Sequence, residues 1–108
     1  MSEKYNGWTN YETWVVNLWM SNDEGSYHYW TDIVRDFYDE ADSDDTFTKK
    51  ESAIYNLTNQ LKDQHIDNQP DTYGVYADLI TAALDTVDWR EIAEHWIDDH
   101  IENLDEND

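Results

Sequence analysis

Carboxylates at helical spacing are the side chains of this sequence with the clearest potential for chemistry. Steps of three and four residues near the C-terminus place acidic side chains along one helix face, about 5–6 Å apart. This C-terminal strip consists of Glu91, Glu94, Asp98, Glu102 and Asp105, with Asp99 beside it. Carboxylates form strong charge-assisted hydrogen bonds with lysine and arginine. The strip therefore predicts a surface that binds a basic partner.

A second acidic strip lies earlier in the chain. It consists of Asp32, Asp36, Asp39 and Glu40 on a predicted helix, followed by Asp42, Asp44 and Asp45 in a loop. Each DNA strand carries one phosphate about every 3.4 Å of axial rise, so a rigid carboxylate array can occupy a groove built for DNA. We expect the C-terminal strip to be the principal one, because a predicted capping box and two tryptophan anchors hold its helix.

The composition supports a basic protein partner. The 108 residues include 26 Asp and Glu but only 6 Lys and Arg, which gives a formal net charge of -20. Like charge argues against direct binding to nucleic acid or to an anionic membrane. Because acidic faces are often only solvated surface, the total charge and not any single strip motivates the hypothesis. A halophilic source would also explain the charge, but lysine outnumbers arginine and large aromatic residues are abundant.

The sequence offers little sign of catalysis or targeting. Cysteine is absent, which excludes disulfides, thiol catalysis and cysteine-based zinc sites and fits a reducing cytoplasm. Residues 1–10 contain no apolar signal segment, and no stretch approaches the ~20 apolar residues of a membrane span. The sequence also lacks phosphate-loop, nucleophile-elbow and metalloprotease motifs. We therefore expect a soluble cytoplasmic protein without enzymatic activity, cofactor or metal.

Apolar periodicity predicts an all-α fold, a single domain of about five helices over residues 1–108. Residues 1–8 form an N-terminal segment, and residues 105–108 form a frayed tail. We predict helices over Asn10–Met20, over Ser26–Ala41, from Thr48, around Tyr76–Leu84 and from Trp89. The predicted capping boxes are Thr9 with Glu12, Thr48 with Glu51 and Asp88 with Glu91, and Asp71 is the candidate cap of the fourth helix. A short hairpin is possible at Asn6–Gly7.

The first predicted helix is apolar nearly all round, so we expect it to be central. Trp14, Leu18 and Trp19 are predicted core residues. Polar and aromatic residues near them have two open interpretations. Trp8 and Asn17, with Asn10, either cap and brace this helix or form a second contact surface.

The opening of the chain, Asn6-Gly7-Trp8-Thr9-Asn10-Tyr11-Glu12-Thr13-Trp14, continuing through Asn17-Leu18-Trp19 to Asn22-Asp23, resembles a family of small proteins encoded by phages, plasmids and some bacterial genomes. That family has no assigned activity, and the resemblance implies a mobile-element origin. In size and charge the whole chain is also similar to phage proteins that mimic DNA and block restriction, CRISPR, repair or transcription machinery. The resemblance therefore implies an anti-defence inhibitor of a nucleic-acid-binding host protein.

Two further functions stay open. An assembly partner would dimerise or dock through the tryptophan-rich first helix, with the charge serving solubility. A calcium-dependent regulator would use Glu40 to Glu51, which have the length of an EF-hand loop but carry Asp45 where that loop needs glycine. His95 and His100 are five residues apart and do not share a helix face, which argues against a metal site there.

Overall fold

The fold is built from helices alone, as the periodicity predicted. The computed structural model describes the backbone of residues 4–106 and the side chains of residues 4–104. The helices are α1 (Tyr11–Asn22), α2 (Glu24–Glu40), α3 (Lys49–Asp67), α4 (Val75–Thr86) and α5 (Trp89–Glu106). They form one globule, and residues 4–106 contain no β-strand beyond an isolated bridge between Tyr5 and Trp8. None of these helices is both long and apolar enough to cross a membrane.

The core lies between α3 and α5, and α2 packs against both of these helices. Ile92 and Ile97 of α5 are fully buried, as are Leu57 and Leu61 of α3. The predicted apolar stripe of α5 is therefore confirmed over most of its length. Burying each of these side chains contributes about 1.5–3 kcal/mol, so the contact between α3 and α5 dominates the apolar stabilisation.

The predicted capping box of α3 is confirmed. The Thr48 hydroxyl accepts a hydrogen bond from the Glu51 backbone N–H at 3.1 Å, and the Glu51 carboxylate accepts one from the Thr48 N–H at 3.0 Å. The predicted cap of α1 was wrong. Asn10, not Thr9, caps α1, and Asp23 both ends α1 and caps α2, so the break between these helices is a single residue.

The capping box predicted for α5 is only half formed. The Asp88 carboxylate accepts a hydrogen bond from the Glu91 N–H at 3.0 Å. The Glu91 carboxylate, however, accepts a hydrogen bond from the Thr9 N–H at 3.0 Å and therefore fastens the N-terminal segment. Helix α5 begins at Trp89, as predicted, and continues through Glu106, so residues 105 and 106 of the predicted tail belong to the helix. Residues 107 and 108 of that tail lie outside the described residues.

Thr13 joins the start of α1 to the start of α5. Its fully buried hydroxyl donates to Asn10 Oδ1 at 2.6 Å and accepts a hydrogen bond from the Asp88 N–H at 2.8 Å. Asn10 Nδ2 also donates to the Thr86 carbonyl at 2.8 Å, and Asn17 Oδ1 accepts from Trp96 Nε1 at 2.7 Å. Of the two interpretations, bracing is therefore the confirmed role of Asn10 and Asn17.

The N-terminal segment folds back on α1 through the hairpin that Asn6–Gly7 made possible. Both residues have positive φ, 49° and 89°, and Tyr5 and Trp8 exchange two backbone hydrogen bonds. Adjacent residues with positive φ are characteristic of the type I′ turn. The turn lets the Tyr5 ring pack against Trp14 at a centroid distance of 4.9 Å, and Trp8 packs against the core.

Helix α4 corrects a second set of predictions. It begins at Val75, and its N-cap residue is Gly74, with φ +66° and no side-chain cap hydrogen bond, so Asp71 is not its cap. Its predicted apolar face is largely uncovered, because the helix has no buried residue and Tyr76 and Leu79 are 68% and 61% exposed. Trp19, a predicted core residue of α1, is likewise 71% exposed.

Candidate acidic binding surface

The outward face of α2 and the loop that follows it carry a dense group of carboxylates. Helix α2 buries Trp30 and Val34 and packs Phe37 against the core, which turns its other face to solvent. Seven exposed carboxylates then follow one another over residues 32–45. We call them the α2–loop surface: Asp32, Asp36, Asp39, Glu40, Asp42, Asp44 and Asp45.

The loop is held in shape by its own polar groups. Asp44 Oδ1 accepts hydrogen bonds from the Thr46 and Phe47 N–H groups, both at 2.7 Å. The Phe47 bond and then the Thr46 bond stabilise the charged form and lower the pKa of Asp44. Lys49 Nζ donates to the Ala41 carbonyl at 2.8 Å, which fastens the far end of the loop to α2. The carboxylates are therefore displayed on an ordered segment.

Little positive charge within the chain opposes this surface. Among the described side chains, Arg35 is the cation that forms ion pairs with it, at 3.2 Å from both Asp32 and Asp36. Lys49 lies close but points its ammonium at backbone carbonyls and over the Tyr38 ring, 4.8 Å from the centroid. The remaining carboxylates of the surface are available to an external cation.

The C-terminal strip shares one face of α5, as its spacing predicted, but most of its members already have partners. Glu94 forms an ion pair with Arg90 and Asp98 with Lys50, each at 2.7 Å. The Asp98 hydrogen bond, together with its charge, raises the pKa of Lys50. The Glu91 carboxylate accepts a hydrogen bond from the Thr9 N–H. Three carboxylates of the strip are therefore already engaged within the protein, Glu94 and Asp98 by side-chain cations and Glu91 by a backbone N–H.

The remaining members of the strip differ among themselves. Glu102 is exposed, and Asp99 lies 3.4 Å from His95. The side chain of Asp105 lies outside the described residues. Among the described side chains of the strip, Glu102 is thus the one with neither a salt bridge nor a side-chain hydrogen bond.

The Lys50–Asp98 pair brings the two acidic regions together. Lys50 lies in the first turn of α3, directly after the acidic loop, and Asp98 lies in the middle of α5. The ion pair therefore joins the start of α3, which follows the acidic loop, to the acidic face of α5. The sequence could not reveal this arrangement, because the pair joins residues 48 positions apart (98 minus 50) through tertiary packing.

The loop does not have the geometry of an EF-hand. Thr48 and Glu51 are two of the predicted calcium ligands, but both are used in the capping box of α3. Their hydrogen bonds, from the backbone first and the hydroxyl second, lower the pKa of Glu51. Across the described part of the chain, no three His, Asp or Glu side chains converge closely enough to hold a metal ion. The calcium-dependent alternative therefore has no structural basis in these residues.

His95 and His100 line one pocket of about 420 Å³ beside α5, but their rings serve different contacts. The His95 ring lies edge-on to Trp8 at 5.0 Å between centroids, and His100 lies edge-on to Tyr38 at 5.4 Å. His100 Nε2 is buried and has no hydrogen-bond partner among the described residues. The two imidazoles are therefore engaged separately, in agreement with their five-residue spacing.

Comparison with known proteins gives a family but no function. Residues 1–107 match the model of a family of unknown function, DUF7249. No curated protein and no solved structure matches the chain.

Proposed function

The chain belongs to DUF7249, a family of unknown function, and we propose that it is a non-enzymatic mimic of nucleic acid. In this proposal it binds the basic groove of a nucleic-acid-binding protein and excludes DNA or RNA from it. The resemblance to phage and plasmid proteins favours a mobile-element inhibitor that acts on host restriction, CRISPR, repair or transcription machinery. The single observation that carries the proposal is the α2–loop surface.

The spacing of this surface suits a groove that binds phosphates. Asp32, Asp36 and Glu40 lie four residues apart, which corresponds to a rise of about 6 Å between neighbours. This is close to two phosphate steps of about 3.4 Å along one DNA strand. Lysine and arginine side chains of a partner would exchange phosphates for carboxylates at comparable positions.

The proposal places the α2–loop surface ahead of the α5 strip. A partner that binds Glu94 or Asp98 must first displace Arg90 or Lys50, and breaking that ion pair offsets part of the favourable binding free energy. A partner that approaches Asp39 or Asp42 displaces only water and counterions, although one that binds Asp32 or Asp36 must also displace Arg35. A rigid array also loses less conformational entropy on binding than a mobile tail does. The hydrogen bonds of Asp44 and Lys49 hold the loop carboxylates in such an array.

The charge also predicts how binding should depend on salt. A net charge of -20 steers basic partners at low ionic strength, and screening weakens the effect beyond about 8 Å at physiological salt. Binding that is carried by many carboxylates should therefore weaken steeply as salt increases. Binding that depends on apolar contact should not.

The experiment compares four matched proteins. The purified chain is immobilised, host lysate is passed over it at moderate salt, and bound proteins are challenged with duplex DNA. We expect basic nucleic-acid-binding proteins to be recovered and then released by the DNA. A variant with Asp32, Asp36 and Asp39 changed to Asn and Glu40 to Gln should lose most of this binding.

The control removes the same charge elsewhere. Asp63, Asp67, Asp78 and Asp85 are all exposed and lie outside both acidic regions, so changing them to Asn should leave capture nearly unchanged. A fourth protein, with Glu94, Asp98 and Glu102 neutralised, ranks the α5 strip against the α2–loop surface. If no captured protein can be displaced by DNA, or if the control loses binding equally, nucleic-acid mimicry is rejected.

An assembly role is the second candidate, and the exposure of Trp19 favours it. Other residues of α1 are poor probes for this role, because Met20 is buried and Asn17 bonds Trp96. Changing Trp19 to Ala should abolish an assembly function while sparing DNA-displaceable binding. Neutralising the α2–loop surface should do the reverse.

A further inference from the structure

A small pocket lies at the C-terminal end of α2, within the α2–loop surface. Its volume is about 240 Å³, and it is lined by Phe37, Glu40, Ala41 and, from α3, Asn56. Phe37 packs against the core and Ala41 is buried, so these two residues form an apolar floor. Glu40 and Asn56 are exposed and form a polar rim. The pocket therefore combines apolar contact area with one carboxylate and one amide.

The end of α2 is electrostatically suited to positive charge. The last four carbonyls of a helix lack intrahelical partners, and the aligned peptide dipoles place partial negative charge there. The last turn of α2 contains no basic residue, and Glu40 adds a full negative charge to it. Glu40 forms no ion pair among the described side chains, and Arg35 pairs with other carboxylates of the surface. An external cation would therefore meet an unpaired carboxylate beside the negative end of the helix dipole.

The chain itself shows how a cation binds at this end of α2. Lys49 Nζ donates to the carbonyls of Asp39 at 3.3 Å and of Ala41 at 2.8 Å. The same ammonium lies over the Tyr38 ring, 4.8 Å from its centroid. Lys49 thus combines oxygen acceptors with an aromatic face, beside the pocket that Ala41 lines. The pocket offers a second combination of this kind, with the Phe37 ring and a carboxylate.

We propose that this pocket receives an arginine side chain of the basic partner, an inference that rests on the function proposed above. Pockets for drug-sized ligands span about 300–1,000 Å³, so a volume of about 240 Å³ suits one side chain better than a whole small molecule. Because Glu40 belongs to the α2–loop surface, a protein that binds this surface reaches the pocket. Arginines that fill desolvated pockets are among the residues that contribute most to affinity at protein interfaces.

The lining favours arginine over lysine. A guanidinium is planar, so it can stack on the Phe37 ring while two of its N–H groups bind the Glu40 carboxylate side by side. A further N–H can be accepted by the amide oxygen of Asn56, and the aliphatic stem covers the apolar floor. A lysine ammonium is a compact, strongly hydrated charge without this fork. The pocket therefore adds a preference for arginine to a surface that otherwise attracts any cation.

The experiment titrates the isotope-labelled full chain with hexaarginine and with hexalysine at moderate salt and follows its amide NMR signals. We expect hexaarginine to bind at least about fivefold more tightly, the effect of one additional hydrogen bond or cation–π contact. The signals of residues 37–41 and of the Asn56 side chain should differ most between the two titrations. Asn56→Trp fills the pocket from its exposed rim without a change of charge. It should remove the preference and leave the affinity for hexalysine nearly unchanged.

A matched control places the same substitution far from the pocket. Asn22 is exposed and lies next to the N-terminal end of α2, whose 17 residues span about 25 Å. Asn22→Trp should therefore retain the preference for hexaarginine. Glu40→Gln removes the carboxylate and should lower the affinity for hexaarginine by a larger factor than that for hexalysine. Circular dichroism establishes that each variant is folded.

The ratio of the two affinities tests the pocket, because both peptides carry the same charge. Equal affinities overturn the proposal, and so does a preference that Asn56→Trp leaves intact or that Asn22→Trp removes equally. Nucleic-acid mimicry fails separately, when no captured protein can be displaced by DNA. A preference for arginine that Asn56→Trp removes supports the pocket even then. DNA-displaceable capture with equal peptide affinities rejects the pocket and retains the mimicry.

Discussion

Helices α4 and α5 are neighbours in the chain, separated by Val87 and Asp88, yet they relate to the core in opposite ways. Helix α5 buries Ile92, Ala93 and Ile97 completely, whereas α4 has no buried residue. Both have an apolar face at helical spacing. The difference teaches that the face of α5 stabilises the fold, while the exposed face of α4 contributes little to it.

Shortening an apolar side chain should give the largest difference in the free energy of unfolding between variants of α5 and variants of α4. Ile92→Ala removes fully buried methyl groups and should lower the free energy of unfolding by about 2–5 kcal/mol. Leu79→Ala is the matched change on α4 and should alter it by less than about 0.5 kcal/mol, because Leu79 is mostly exposed. Urea denaturation measures both. A loss above 2 kcal/mol for Leu79→Ala would mean that the face of α4 is covered in the monomer.

The fold and the surface were predictable from sequence to different depths. The α3 cap was predictable because Thr48 and Glu51 are local partners whose geometry depends on one turn of helix. The exposure of α4 was not, because periodicity identifies an apolar face but not what covers it. Asp98 illustrates the same limit for the acidic surface. Its place on the α5 face followed from spacing, whereas its pairing with Lys50 depends on how α3 packs against α5.

Removing a buried hydroxyl should have the next largest effect. Thr13→Val keeps the side-chain volume but leaves the Asp88 N–H without its acceptor and should cost about 1–3 kcal/mol. The control, Thr86→Val on α4, removes only the exposed hydroxyl bond to the Ala82 carbonyl and should be nearly neutral. Thermal and urea unfolding measure both variants. Equal losses would show that the junction between α1 and α5 is not held by Thr13.

Amide hydrogen exchange should show a difference in local stability between α4 and α5 that is smaller than the effects of the two substitutions above. Opening α4 exposes little additional apolar area, so its amides should exchange at least about tenfold faster than those of α5, which corresponds to about 1.4 kcal/mol. Exchange mass spectrometry at low protein concentration measures this ratio. Equal protection of α4 and α5 in the monomer would contradict the distinction between them.

The smallest effect concerns how helices begin. It contrasts α3, which has a capping box, with α4, whose N-cap residue Gly74 has no side chain to cap it. The pKa of Glu51 is lowered by the Thr48 hydrogen bonds, so its charged form stabilises the folded state. That stabilisation is fully present above the unfolded pKa of about 4.3 and is lost as pH falls through the lower folded pKa.

Glu51→Gln should therefore lower the melting temperature at neutral pH and have little effect in strong acid, because glutamine cannot supply the charged acceptor. Part of any change reflects relief of repulsion within a chain of net charge -20. Glu102→Gln corrects for this, since it also removes one exposed negative charge from a helix but has no cap to lose. Melting temperatures of both variants at pH 7 and pH 3 give the comparison. If the two variants shift in parallel at both pH values, the capping carboxylate of α3 contributes nothing beyond its charge.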